Sequence, residues 1–344
     1  MSNNSRKQLV GIVLESKMDK RKIDGVRLPV TSVIQGATPL FGQTLVEEPH
    51  RLLDDVFSTG ITAFDSGLTY ADENGSCDER LGQWVATRGV REEITIIGKG
   101  CHPGPPDWSA SRVQPENVSK DVSISCDRMA VDQIDLWLFH RDDESVPVPE
   151  LVDAVSLEVA KGTICAWGVS NWSFTRLEEA MSYAQENGRT PPSATSPHFS
   201  LVDQIDAPWP GVTTITGDNH SDERDWFTQN QLPVLAWSSL ASGFLTSSYD
   251  PNLSTFSETV RCYGSTENMN RRDRAISLAA EKGCDLEQIS VAYILAAPFP
   301  TFATCAARTL LEAEKNVEAS EIMLTSDEYS WLQEIGRASC RERV

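Results

Sequence analysis

The chain has 344 residues, 40% of them hydrophobic, 8% aromatic and 23% charged. That is enough for one large α/β barrel or two ordinary domains with a substantial core. Thirty Lys and Arg against fifty Asp and Glu give a formal net charge of −20, which argues against a nucleic-acid or anionic-membrane surface; no apolar run approaches the ~18 residues of a membrane helix.

Met1–Arg27 reads as a polar, basic leader and is expected to be flexible; its apolar stretch, Leu9–Leu14, is too short for a secretory signal. From there short apolar runs alternate with longer amphipathic ones. Strands are expected at Ser32–Gly36, Ala63–Asp65, Ile94–Gly98, Leu136–His140, Ala166–Ser170, Ser193–Ser196, Val234–Trp237 and Phe302–Cys305. Between the first two, Pro49 opens a run with Leu52, Leu53, Val56 and Phe57 on one face, and Gly60 closes it. Thr175 to Glu178 and Thr325 to Glu328 have capping-box spacing at helix starts, and Asp285 precedes the apolar-rich Leu286–Ala297. The long interval before the last strand predicts a surface loop at Thr246–Thr266 and two helices. Repeated β-then-α order implies a parallel sheet. Eight such units predict a (β/α)8 TIM barrel at 28–334, a single domain with a long loop after strand 7 and a C-terminal helix. An open doubly wound sheet is the rival, but no G-x-G-x-x-G follows the first strand. The last ten residues, Ile335–Val344, match a sequencing-adapter stretch read in frame and are expected to be non-native.

The cysteines at 77, 101, 126, 165, 262, 284, 305 and 340 show no C-x-x-C and no metal spacing. No metal site is expected, and the pattern fits a reducing cytoplasm. In a barrel of this type the chemistry sits at the C-terminal ends of the strands. Asp65, Lys99 and His140 occupy those ends in strands two, three and four, with Tyr70 on the loop after Asp65. Each alone is an ordinary turn, surface or core residue; their combination at successive strand ends points to a site.

Four segments carry a resemblance: GITAFDSGLTYADENGSCDERLGQWV, REEITIIGKG, VDQIDLWLFHRDD and KGTICAWGVSNW. They resemble the conserved stretches of the aldo-keto reductase family, and the likeness runs from about Arg27 to Glu334. The resemblance implies that Asp65, Tyr70, Lys99 and His140 form a catalytic tetrad. A phenol with a pKa of ~10 is a poor proton donor near neutrality, and a neighbouring ammonium is expected to lower it. Lys99 would supply that charge, Asp65 would hold Lys99, and His140 would orient a substrate carbonyl.

The resemblance also implies the cofactor contacts. Ser170 and Asn171 match the pair that binds the nicotinamide carboxamide, and Ser196 stands where the family has Gln. Trp237 matches a ring stacked on the nicotinamide. Ser238, Leu240 and Gly243 match the loop near the pyrophosphate, and Gly36 and Ala37 a small-residue turn after strand one. Arg308 and Asn316 match the adenosine end, where Ala306 replaces the usual Gly. Glu312 should repel a 2′-phosphate and Arg308 should attract one; NADP is expected, with NAD possible. The function implied is reduction of aldehyde, ketone or sugar carbonyls; the alternative is a nicotinamide-binding regulatory subunit, a use this fold also has among channels. The expected partner is a small carbonyl or alcohol, with no nucleic acid or membrane, and either a monomer or a homo-oligomer fits. Loops Cys101–Ser111 and Ser247–Thr266, with His102 and Trp108, are the candidates for shaping the pocket.

Overall fold

The computed structural model describes residues 18–105 and 107–334. Eight parallel strands close in sequence order: β1 (Val33–Gln35), β2 (Ala63–Asp65), β3 (Thr95–Gly100), β4 (Ile134–Phe139), β5 (Ile164–Ser170), β6 (Ala194–Ser196), β7 (Val234–Ala236) and β8 (Thr301–Cys305). β8 returns to β1 in register Cys305 opposite Gln35. The fold is the expected (β/α)8 barrel, and every expected strand is present to within two residues at each end.

The strands read as near-continuous apolar runs because both faces are covered. Ile34, Ala63, Ile97, Leu136, Leu138, Ala166, Ala194, Leu235 and Phe302 fill the interior. Val33, Phe64, Ile96, Trp137, Phe139, Trp167 and Val169 join the larger layer under the helices. Gly168 is required between β5 and β6, since a Cβ there would lie 2.2 Å from the Ala194 carbonyl oxygen. The return helices are α1 (Pro49–Ser58), α2 (Cys77–Arg88), α3 (Pro115–Met129), α4 (Val148–Lys161), α5 (Phe174–Asn187) and α6 (Ser221–Asn230). After β7 come α7 (Ser257–Tyr263), α8 (Thr266–Lys282) and α9 (Leu286–Leu295), and after β8 come α10 (Leu310–Glu321) and the C-terminal α11 (Ser326–Gln333).

The capping boxes at Thr325 with Glu328 and at Asp285 with Gln288 both form. Thr175 does not cap: α5 starts earlier, at Ser173, whose hydroxyl accepts from the Arg176 N–H at 3.4 Å, leaving Thr175 inside the first turn. The expected loop Thr246–Thr266 contains α7, a short helix whose Thr259 hydroxyl donates to the Ser242 carbonyl at 2.8 Å.

The leader also ends earlier than expected. Lys20–Arg21 pair antiparallel with Val30–Thr31, and Ile23 and Val26 of the connecting turn are buried with the barrel interior. This hairpin closes the N-terminal end of the barrel. Its basic residues are tied down: Arg21 donates to the Thr301 carbonyl at 2.9 Å, and Arg27 and Arg91 clamp the buried Asp135 at 3.2 and 2.9 Å. Residues 1–17 and the Ile335–Val344 tail lie outside the described residues. Among the described residues no helix is long and apolar enough to cross a membrane, and Cys77, Cys101, Cys126, Cys165, Cys262, Cys284 and Cys305 are all free thiols.

Candidate active site

Asp65 is the last residue of β2, Lys99 lies near the end of β3, and His140 follows β4 directly. Three adjacent strands therefore aim three chemically different side chains at the same end of the barrel. Tyr70 arrives from the loop after β2. That loop runs along β3, with Ser66 N–H donating to Ile97 and Leu68 N–H to Lys99. Gly67 allows the Tyr70 ring to lie flat on it, because a Cβ there would be 3.0 Å from the ring. Phe41, from the loop after β1, stacks on the other side of Tyr70 at 4.9 Å between centroids.

The four side chains meet. The Lys99 ammonium donates to the Asp65 carboxylate and, at 3.1 Å, to the Ser66 carbonyl. It also stands 5.4 Å from the centre of the Tyr70 ring. The Tyr70 hydroxyl lies 3.2 Å from His140 Nε2. Burial pushes the Asp65 carboxyl up despite the Lys99 charge. Burial pulls the Lys99 ammonium down, but Asp65 and the Tyr70 oxygen together raise it above its usual range. Burial, then the charges of Lys99, His102 and Arg141, hold His140 far below its usual value, so the ring is neutral. One expectation changes here. The Tyr70 hydroxyl is raised rather than lowered, because burial outweighs the pull of Lys99.

A protein-family model described as Aldo/keto reductase family matches residues 33–337. The chain belongs to the aldo-keto reductases. Its curated relatives include proteins described as "Probable voltage-gated potassium channel subunit beta" from Arabidopsis thaliana and from Oryza sativa subsp. japonica, each 26% identical over 86% of this chain and 89% of the relative. A Schizosaccharomyces pombe protein described as a putative subunit of the same kind is 25% identical over 81% of this chain and 80% of the relative. Among solved structures, a thermostable aldo-keto reductase crystallised with the inhibitor epalrestat superposes with a TM-score of 0.70 at 19% identity, covering 93% of this chain and 100% of that one; this likeness speaks for the fold. Family and fold together support an oxidoreductase.

Members of this family generally bind NAD(P)H, and the residues beside the tetrad fit such a dinucleotide. Trp237 offers a ring with a buried Nε1 that has no protein partner. Behind it His198 meets the ring edge-on at 5.1 Å; His198 is itself lowered to about 3, by burial first and then by His220, and is anchored by Thr214 at 2.8 Å and Tyr263 at 3.2 Å. After Trp237 the backbone takes positive φ at Ser238, Ala241, Ser242 and Gly243, a tight turn that brings the exposed hydroxyls of Ser238 and Ser242 within 3.4 Å. Leu240 lies inside the turn, its carbonyl accepting from the Gly243 N–H at 3.0 Å. Gly36 approaches β8 closely, donating to Cys305 at 2.7 Å, and Ala37 beside it is buried.

Ser170, Asn171 and Ser196 form a chain. Asn171 Nδ2 donates to Ser170 Oγ at 3.0 Å and to the His140 carbonyl at 3.3 Å, while its Oδ1 accepts from Thr213 N–H at 3.2 Å. Ser170 Oγ donates to the Ser196 carbonyl and Ser196 Oγ to Leu235, each at 2.8 Å. Asn171 therefore braces His140 through its backbone carbonyl. At the other end, Arg308 Nη1 reaches the Thr44 carbonyl at 2.9 Å. Glu312 is engaged by the backbone: with Thr309 as N-cap, it accepts from the Arg308 N–H at 2.7 Å, which ties it to the first turn of α10. Asn316 lies one turn further along α10 and is half-buried.

The pocket walls divide. His102 is 4.7 Å from His140 and Trp108 is 6.2 Å from His102, so Cys101–Ser111 borders the tetrad. Ser247–Thr266 instead packs toward the turn at Gly243, where Phe256 sits. Sequence reasoning missed Phe41, His198 and Trp209, whose ring stacks near Trp237 at 5.9 Å; all three lie on loops, where no periodicity marks them.

Proposed function

We propose that this chain is an NAD(P)H-dependent reductase of aldehydes and ketones, sugars included, acting in the cytoplasm with NADPH preferred over NADH. The observation that carries the reading is the Tyr70 hydroxyl at 3.2 Å from a neutral His140, with the Lys99 ammonium beside the Tyr70 ring. Ser170, Asn171 and Trp237 would hold a nicotinamide, which when bound would provide the hydride for the carbonyl carbon. Tyr70 gives its proton to the carbonyl oxygen as negative charge develops there. Lys99 stabilises the phenolate left behind, and Asp65 fixes Lys99. His140, neutral and braced by Asn171, orients the oxygen. Ser170, Asn171 and Ser196 would line the nicotinamide end, Trp237 would face its ring, and Ser238, Leu240 and Gly243 would approach the pyrophosphate. The free thiols fit a reducing compartment. The preference for NADPH rests on Arg308, with Glu312 occupied by its backbone contact.

The test is cofactor-dependent turnover against a panel of aldehydes, ketones and aldoses, with both NADPH and NADH. The channel-subunit descriptions of three relatives favour a second reading, in which the chain binds the cofactor as a regulatory subunit. Tight cofactor binding without turnover, together with a stable hetero-complex, would select it.

A further inference from the structure

We propose that Arg141 recognises a carboxylate on the substrate, so that the compounds reduced at this site are oxo acids; this rests on the reductase reading. Arg141 directly follows His140, and its backbone is fixed because its carbonyl accepts from Trp172 Nε1 at 3.1 Å. Its guanidinium folds back, Nη1 donating to the His140 carbonyl at 2.8 Å. Its stem passes 3.7 Å from where a Cβ on Gly211 would stand, between the loop after β4 and the loop that carries Trp209. The cation is therefore held next to the carbonyl-orienting histidine, at the open end of the barrel.

Several cations around it have a counter-charge that it lacks. Lys99 is paired with Asp65, Arg176 with Asp142 and Arg112 with Asp121. Arg141 makes no ion pair with any described carboxylate, although Asp142 is its immediate neighbour in sequence. The protein is strongly acidic, at −20, so an unpaired guanidinium in its pocket runs against the general charge balance. Burial depresses Arg141 below its usual value, and its charge is felt at Tyr70, His102 and His140. A partly desolvated cation with a backbone carbonyl but no counter-charge carries an unmet electrostatic cost. A carboxylate entering beside the reacting carbonyl would meet it, with two parallel N–H···O bonds to the planar fork. A phosphate dianion suits the site less well: one guanidinium cannot neutralise it, and the acidic protein repels it more strongly.

The experiment compares 4-oxobutanoate with its methyl ester, in wild type, Arg141→Met and Arg141→Lys, with NADPH. In wild type the kcat/KM for the acid should exceed that for the ester at least tenfold. That ratio should fall by at least tenfold in Arg141→Met, chiefly through KM, and be partly kept in Arg141→Lys. Using the ratio removes any general damage from the substitution. An unchanged ratio, or a wild type that reduces the ester as well as the acid, overturns the proposal. Glyceraldehyde 3-phosphate reduced better than 4-oxobutanoate overturns the carboxylate assignment. Turnover of the ester by itself reports on the reductase reading. If neither compound is reduced, binding of 4-hydroxybutanoate, followed by tryptophan fluorescence of the cofactor-loaded protein, still decides: tenfold weaker binding in Arg141→Met supports the role, and equal binding refutes it.

Discussion

Changing Asp65 to Asn keeps the shape of the side chain and removes only its charge. Lys99 then loses its carboxylate while its side chain remains 6% exposed, in contact with a partner position that is 12% exposed. One acceptor survives, the Ser66 carbonyl at 3.1 Å. Stranding a buried charge costs ~3–5 kcal/mol; the remaining hydrogen bond keeps the loss near the lower end, about 3 kcal/mol. At ~2–4 °C per kcal/mol for about 150–250 residues, and less for a longer chain such as this one, melting should fall by about 6 °C or less. Lys99→Met strands the carboxylate instead and should cost a similar amount. The double variant Asp65→Asn/Lys99→Met leaves neither charge, so it should be more stable than the sum of the singles by at least ~2 kcal/mol. Urea unfolding of the four proteins at pH 7, followed by tryptophan fluorescence, measures the cycle. Stability returns in the double variant while turnover stays down ~100-fold or more, because Tyr70 has lost its cation. Single variants within ~1 kcal/mol of wild type, with additive effects, would show that the pair is solvated and that the electrostatic account of this site is wrong.

Tyr70→Phe removes the proton donor at constant shape, so kcat should drop at least ~100-fold while cofactor affinity, read by fluorescence titration, stays nearly unchanged; retained turnover would reassign the donor. Burial raises the Tyr70 hydroxyl and holds His140 well below its usual value. A donor must be protonated, so kcat/KM for reduction should be flat from about pH 6 to about pH 9 and fall only beyond it; a limb centred near pH 7 would contradict both assignments. Arg308→Ala should weaken NADPH binding selectively. Glu312→Gln should strengthen NADPH by about fivefold, one screened charge contact, with NADH almost unchanged. Equal effects of Arg308→Ala on both cofactors would move Arg308 away from the phosphate.

The barrel was readable because its strands are buried on both faces and therefore stand out as apolar runs between polar helices, as at Leu136–Phe139. The tetrad was readable because Asp65, Lys99 and His140 fall at consecutive strand ends within segments that resemble one family. Other features depend on long-range geometry. Ile23 and Val26 are isolated apolar residues in a basic stretch, and only the open end of the barrel makes them core. Glu312 lies three residues after Thr309, but its bond to the Arg308 N–H depends on the path of the chain between β8 and α10, which no local pattern encodes. The upward push on Tyr70 depends on Phe41, His140 and the surrounding backbone excluding water, which no local pattern encodes. Arg141 sits beside His140 in sequence; what marks it is its place at the site without a carboxylate partner among the described residues, visible only when Asp142 is found paired with Arg176.

The pairing of β8 with β1 sets Ala303 opposite Val33, and Arg21 reaches Thr301, 280 positions away. During synthesis β1 must therefore wait for β8 with an open hydrogen-bonding edge. At about 5–20 residues per second the wait is roughly 15–50 s. For that time the nascent chain exposes a growing sheet whose first and last strands could pair with another chain instead. A message truncated before Cys305 would leave that edge permanently open, and its product should be insoluble or held by chaperones rather than merely less stable.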